Sequence, residues 1–143
     1  MATEQFSGPV NYLVFAFDKN ADLGAGLTAI LDRVNEGIVE ILDIEVIAKG
    51  SDGAPVKQVL ANLDGVTGVD LAVFDGVESS ILDAEDLADI TSELRTGQIA
   101  VAVVYEDRSL AVAAREWATT GGVEMFSGGV DITDLEQALE EGN

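Results

Sequence analysis

From residue 10 to 17 the chain reads Val10, Asn11, Tyr12, Leu13, Val14, Phe15, Ala16, Phe17, with apolar residues on both parities. Such a run predicts a central strand buried on both faces. Beyond it, Leu23, Leu27, Ile30, Leu31 and Val34 recur at helical spacing. They predict an amphipathic helix opened by Asp22 and stopped by Gly37. Residues 38–49 return to strand chemistry, with Leu42, Ile44, Val46 and Ala48 on one parity and Asp43, Glu45 and Lys49 on the other. The parity set by Val39 and Ile41 slips at Leu42, which predicts a bulge there. Gly50, Ser51, Asp52 and Gly53 form a turn signal, and residues 56–63 are the expected hairpin partner.

Residues 64–79 scatter Gly65, Gly68 and Gly76 among apolar positions and predict an irregular connection, partly packed. A helix follows, with Asp83 and Asp86 spaced as a capping box and Leu87, Ile90 and Leu94 on its inner stripe. After Gly97, residues 99–105 form a second all-apolar strand. Asp107 or Ser109 is the expected cap of another helix, whose stripe is Leu110, Ala113, Ala114 and Trp117 and which Gly121 and Gly122 end. Residues 123–127 read as a short strand. Thr133 and Glu136 are spaced to open a C-terminal helix with Leu135, Ala138 and Leu139 inward.

The succession is βαββ, a connection, αβ, then αβα. It predicts one α/β (α+β) domain over residues 1–143, with its core at about 9–140: a ferredoxin-like βαββαβ unit extended by αβα, as a two-layer sandwich. There is a faint internal echo. Strand 12–17, helix and 37–41 resemble strand 99–104, helix and 121–125, as a duplicated βαβ unit would.

The run from Asp83 to Leu94, Gly97, residues 99–106, the Gly121-to-Met125 segment and Asp134 to Leu139 together resemble a bacterial family of small α/β proteins catalogued as a domain of unknown function. Some relatives in that family carry a glycine-zipper insert, and others a fused short oligomerisation module. The likeness spans about residues 11–139 and implies a ferredoxin-like fold and no activity. At residues 64–79 this chain departs from the glycine-zipper pattern, which argues against a membrane role.

Charge narrows the picture further. Seven Lys and Arg against 27 Asp and Glu give a net charge of −20. Nucleic acid and anionic lipid are held mainly through Lys and Arg, so neither is an expected partner. The 143 residues contain no Cys and no His. Thiolate chemistry, disulfides, the commonest general base and the usual zinc ligands are therefore absent. The start of the chain lacks a basic region followed by an apolar run, and the longest apolar stretch, 99–105, is too short to span a bilayer. A cytoplasmic location is expected.

Few side chains suggest chemistry. Asp18, Asn20 and Asp22 copy the first three ligand positions of an EF-hand loop, but Leu23 stands where Gly belongs and Ala29 where a bidentate Glu belongs. They are weak metal candidates, better read as a polar turn with Asp22 capping a helix. Asp83, Glu85, Asp86 and Asp89 read as a solvated helix face. Asp43 and Glu45 are expected at an exposed sheet edge. No phosphate loop or dinucleotide fingerprint is present, and Ser has no base beside it.

The expectation is a non-enzymatic interaction or assembly protein, without cofactor, that self-associates as a homodimer through its sheet. An unidentified protein partner is left open, and the rival to a dimer is that the helices at residues 109–120 and 133–141 cover that face themselves. The alternative is a small-molecule- or ion-binding regulatory domain of ferredoxin-like type. Leu13, Phe15 and Phe17 should lie under helices, so that Phe15→Asp unfolds the domain. The flatter set Tyr12, Val14 and Ala16 should form the interface on a face the helices leave bare.

Overall fold

The computed structural model describes residues 7–60, 63, 66–68, 70–74, 81–128, 137, 139 and 140. Within them the elements are β1 (Val10–Asp18), α1 (Gly24–Asn35), β2 (Val39–Lys49), β3 (Pro55–Gln58), α2 (Ala84–Glu93), β4 (Gln98–Asp107) and α3 (Ala111–Thr119). A 3₁₀ turn spans Leu71–Phe74. The class is mixed α/β. The four strands make one antiparallel sheet in the order β1-β4-β2-β3. β2 and β4 hold the centre, β1 and β3 the edges.

The ends of the elements follow local chemistry. Gly37 takes φ +76° just past α1, donating its N–H to the Val34 carbonyl at 3.0 Å. That left-handed conformation suits glycine and closes the helix. Asp83 and Asp86 form the expected capping box, exchanging N–H donors and carboxylate acceptors at 2.9 and 3.0 Å. The bulge also falls where the parity slips, with the β2–β4 register shifting between Ile41 and Asp43.

Register assigns each side chain to a face. Leu13, Phe15 and Phe17 of β1 share a face with Val103, Val101 and Ile99 of β4 and with Ile44, Val46 and Ala48 of β2. Leu23 and Leu27 of α1 pack there, together with Leu60 and Phe74 from the connection, as the main core. Leu63, Val66 and Leu71 pack against it, so the described part of the 64–79 connection does contribute to the core. The opposite face carries Tyr12, Val14 and Ala16, then Val104, Ala102 and Ala100, then Asp43, Glu45 and Ile47. There α2 is the cover: its Leu87 and Leu94 are buried, and Lys49 donates to the Leu94 carbonyl at 3.1 Å.

Helices therefore lie on both faces, and the two-layer sandwich is corrected to three layers. The central-strand reading of residues 10–17 is corrected as well. β1 lies at an edge with Tyr12 70% and Phe15 59% exposed. Period-two apolarity shows that a strand is fit for burial, but the seat it takes depends on where the helices sit. Here they centre on β2 and β4, whose Ala100, Ala102 and Ile47 are buried to 1% exposure or less.

The C-terminal third departs furthest from expectation. In α3 only Ala111 is buried, and Trp117, expected in the core, is 67% exposed along with Leu110 and Val112. Leu110 rather than Asp107 or Ser109 is the cap residue, and Asp107 Oδ1 accepts the Ser109 N–H at 2.9 Å. Residues 123–127 form no strand, and Val123, Met125 and Phe126 are exposed. The second half of the internal echo thus lacks its closing strand. Thr133, Leu135, Glu136 and Ala138 lie outside the described residues, whereas Leu139 is helical but exposed instead of inward.

Candidate interaction surface

The hydrogen bonds at the two ends of β1 fix which way its backbone points. Asp107 N–H donates to the Pro9 carbonyl at 2.8 Å, and Lys19 N–H donates to the Gly97 carbonyl at 2.9 Å. In an antiparallel ladder, bonded and non-bonded pairs alternate. With Val10 opposite Glu106 and Asp18 opposite Gln98, the odd-numbered residues bond to β4. The N–H and C=O groups of Val10, Tyr12, Val14 and Ala16 point away from the sheet. Among the described residues no backbone group pairs with them, while the Asp18 carbonyl turns back to accept the Ala21 N–H at 2.9 Å.

Side chains line this open edge on both faces. Tyr12, Val14 and Ala16 stand on the α2 side, all exposed. Between them and α2 run two open grooves of about 350 and 450 Å³, lined chiefly by Val14, Ala16, Ile81, Ile90, Leu94 and Val104. The structure thus brings together the three expected interface residues, but not on a bare face, because α2 covers the β2 and β4 part of it. Leu13 and Phe15, expected under helices, are exposed on the α1 side. Phe17 does reach the core, with its ring 6.2 Å from that of Phe15. Sequence reasoning missed Leu13 and Phe15 because their parity partners Val101 and Val103 are buried while they are not.

The metal candidates do not converge. Asp18 Oδ1 accepts the Asn20 N–H at 3.0 Å. Asp22 Oδ1 accepts N–H donors from Gly24 at 2.9 Å and Thr67 at 3.1 Å, and its Oδ2 accepts the Thr67 hydroxyl at 2.5 Å. The Thr67 hydroxyl above all, then the Gly24 and Thr67 N–H groups, hold the Asp22 carboxyl below its ordinary range. Leu23 rather than the expected Asp22 is the N-cap of α1. Asp22 instead ties the start of the helix to the connection, which runs so close that a Cβ on Gly24 would collide with the Thr67 carbonyl. Among the described residues no three His, Cys, Asp or Glu side chains gather as a metal site.

Asp43 and Glu45 are not at an exposed edge but buried in central β2, Glu45 at 2% exposure. The bulge at Leu42 turns both inward, under α2. Asp43 Oδ2 accepts N–H donors from Ile81 at 3.0 Å and Leu82 at 3.3 Å, fixing the approach to α2. Glu45 Oε1 lies 3.5 Å from Lys57 Nζ, and among the described residues its buried Oε2 has no hydrogen-bond partner. Burial first, and then the hydrogen bond and charge of Asp43, push the Glu45 carboxyl above its ordinary range, with Lys57 opposing. Neither carboxyl is among the residues that line the two grooves beside β1.

Among the described residues, no helix is long and apolar enough to cross a membrane. Comparison with protein-family models, with curated proteins and with solved structures finds no match.

Proposed function

We propose that this chain is a non-enzymatic assembly protein that self-associates through the β1 flank of its sheet. The observation that carries this reading is a nine-residue edge strand with large apolar side chains exposed on both faces. A long, flat, apolar edge is a template for pairing that soluble monomers normally blunt. The reading extends to a cytoplasmic protein without cofactor, related to the ferredoxin-like folds through the order of its elements. It also keeps the likeness to the family of unknown function as a proposal.

Light scattering across a concentration series tests the function. The expected result is a mass twice 14.9 kDa, with dissociation on dilution. A constant monomer mass at high concentration overturns it. The regulatory-domain alternative predicts that monomer mass, together with a ligand-induced rise in melting temperature.

A further inference from the structure

We infer that the occupant of the β1 edge is the β1 edge of a second copy, paired antiparallel about a twofold axis through Val14, so that two sheets join into one of eight strands. The inference rests on the self-association proposed above and specifies its geometry. The outward backbone groups belong to even-numbered residues, so two such edges pair even with even. Full overlap of Val10–Asp18 with itself sets Val10 against Asp18, Tyr12 against Ala16, and Val14 against its own symmetry mate. Leu13 then meets Phe15 across the axis, in both directions.

That register is self-complementary. The largest side chain on the α2 side, Tyr12, faces the smallest, Ala16, and the α1 side gains two Leu–Phe cross-strand pairs of the kind that stabilise sheets. Asp18 is the only charge in the strand. Antiparallel pairing places the two copies at opposite ends, about 27 Å apart at roughly 3.4 Å per residue, well beyond screening distance. Aromatic residues bury about 150–250 Å² each, so Val10, Tyr12, Leu13, Val14 and Phe15 at their observed exposure offer roughly 400–500 Å² per protomer. With the backbone edge added, the two copies approach the roughly 1,200 Å² at the lower end of stable interfaces. Asp86 and Asp89 of α2 border the grooves beside β1, and the twofold axis brings both acidic rows to one side of the joined sheet. Association should therefore tighten as salt screens them.

The chain contains no Cys, so one engineered thiol is unambiguous. Bonded antiparallel partners sit about 5.5 Å apart at Cα, within disulfide reach. In the proposed register Val14→Cys oxidises to a linked species of twice 14.9 kDa, whereas Tyr12→Cys, four residues out of register with its own copy, does not. Amide exchange on the unmodified protein supplies an independent reading: the Tyr12, Val14 and Ala16 N–H groups become protected as concentration rises. If light scattering shows a dimer but Val14→Cys links no faster than Tyr12→Cys and those amides stay unprotected, the strand pairing is overturned and self-association stands. A monomer at every concentration overturns both.

Discussion

The two edges of this sheet are built in opposite ways. β3 is four residues long, begins at Pro55 and carries Lys57, which are devices that blunt an edge against pairing. β1 is nine residues long, has no proline, no lysine and no bulge, and carries its single charge at the end. Among the described residues each of these strands has one neighbour, and they differ in how far they are protected against a second. Open apolar edges invite pairing, so protection at β3 and none at β1 is what the proposed self-association through β1 requires.

The sharpest break in this comparison comes from placing an acid on either side of the β1–β4 seam. Phe15 and Val101 are register partners on one face, but Val101 is buried and Phe15 is not. Val101→Asp should cost at least about 4 kcal/mol, because an unpaired charge enters the core. Phe15→Asp should cost under about 1 kcal/mol in the monomer, as surface substitutions do, contrary to the unfolding expected from sequence. Urea titrations at low protein concentration measure both.

Transplanting protection from one edge to the other comes next. Val14→Lys should abolish the dimer, weakening association at least ~100-fold, about 2.7 kcal/mol, while the circular dichroism of the fold stays unchanged. Val56→Lys on β3 should leave association as it was. Sedimentation across a dilution series reads both, and equal effects at the two edges would remove the distinction between them.

The buried acids next to the protected edge give smaller effects. Asp43→Ala strips the acceptor from the Ile81 and Leu82 N–H groups and should cost about 2–3 kcal/mol. Glu45→Gln should be neutral to stabilising, by about 1 kcal/mol at pH 7, since it removes a buried charge and lets an amide donate to Asp43.

pH dependence follows from the same groups. The Glu45 carboxyl is raised in the folded state, so its ionisation penalises folding fully above the folded pKa. That penalty fades as pH falls through this value and is gone below the unfolded one. The Asp22 carboxyl is lowered, so its contribution is present above the unfolded pKa and is lost as pH falls through the folded one. Stability should therefore rise on mild acidification from neutrality and fall in strong acid. Glu45→Gln should flatten the rise, and Thr67→Ala should weaken the acid-side loss. Melting temperatures from pH 3 to 8 check both slopes.

How much could be read in advance differs from one element to the next. The α2 capping box, the stop of α1 at Gly37 and the slip at Leu42 were legible because each depends on residues within a few positions. The candidate surface was half legible. Tyr12, Val14 and Ala16 came from strand parity, whereas Leu13 and Phe15 were misplaced because parity tells which side chains share a face but not whether a helix reaches them. Trp117 and residues 123–127 were misread for a related reason: an apolar stripe or a β-rich run predicts structure only if something lies opposite to pack against or pair with.

By itself the sequence determined β1, β2, β4 and the helices as elements, the capping box of α2, the stop of α1, the bulge, the net negative charge and the absence of thiol and imidazole side chains, since these follow from composition and short-range periodicity. Only the tertiary structure decided that β1 lies at an edge, that helices cover both faces, and that Asp43 and Glu45 are buried. Strand order is set by long-range pairing, in which β2 and β4 share a long register and lie beneath the helices. Two strands of nearly the same apolar pattern, β1 and β4, compete for one central seat. Small Ala100 and Ala102 let helix α2 pack close above β4, whereas bulky Tyr12 and Phe15 suit a surface that a second strand can cover.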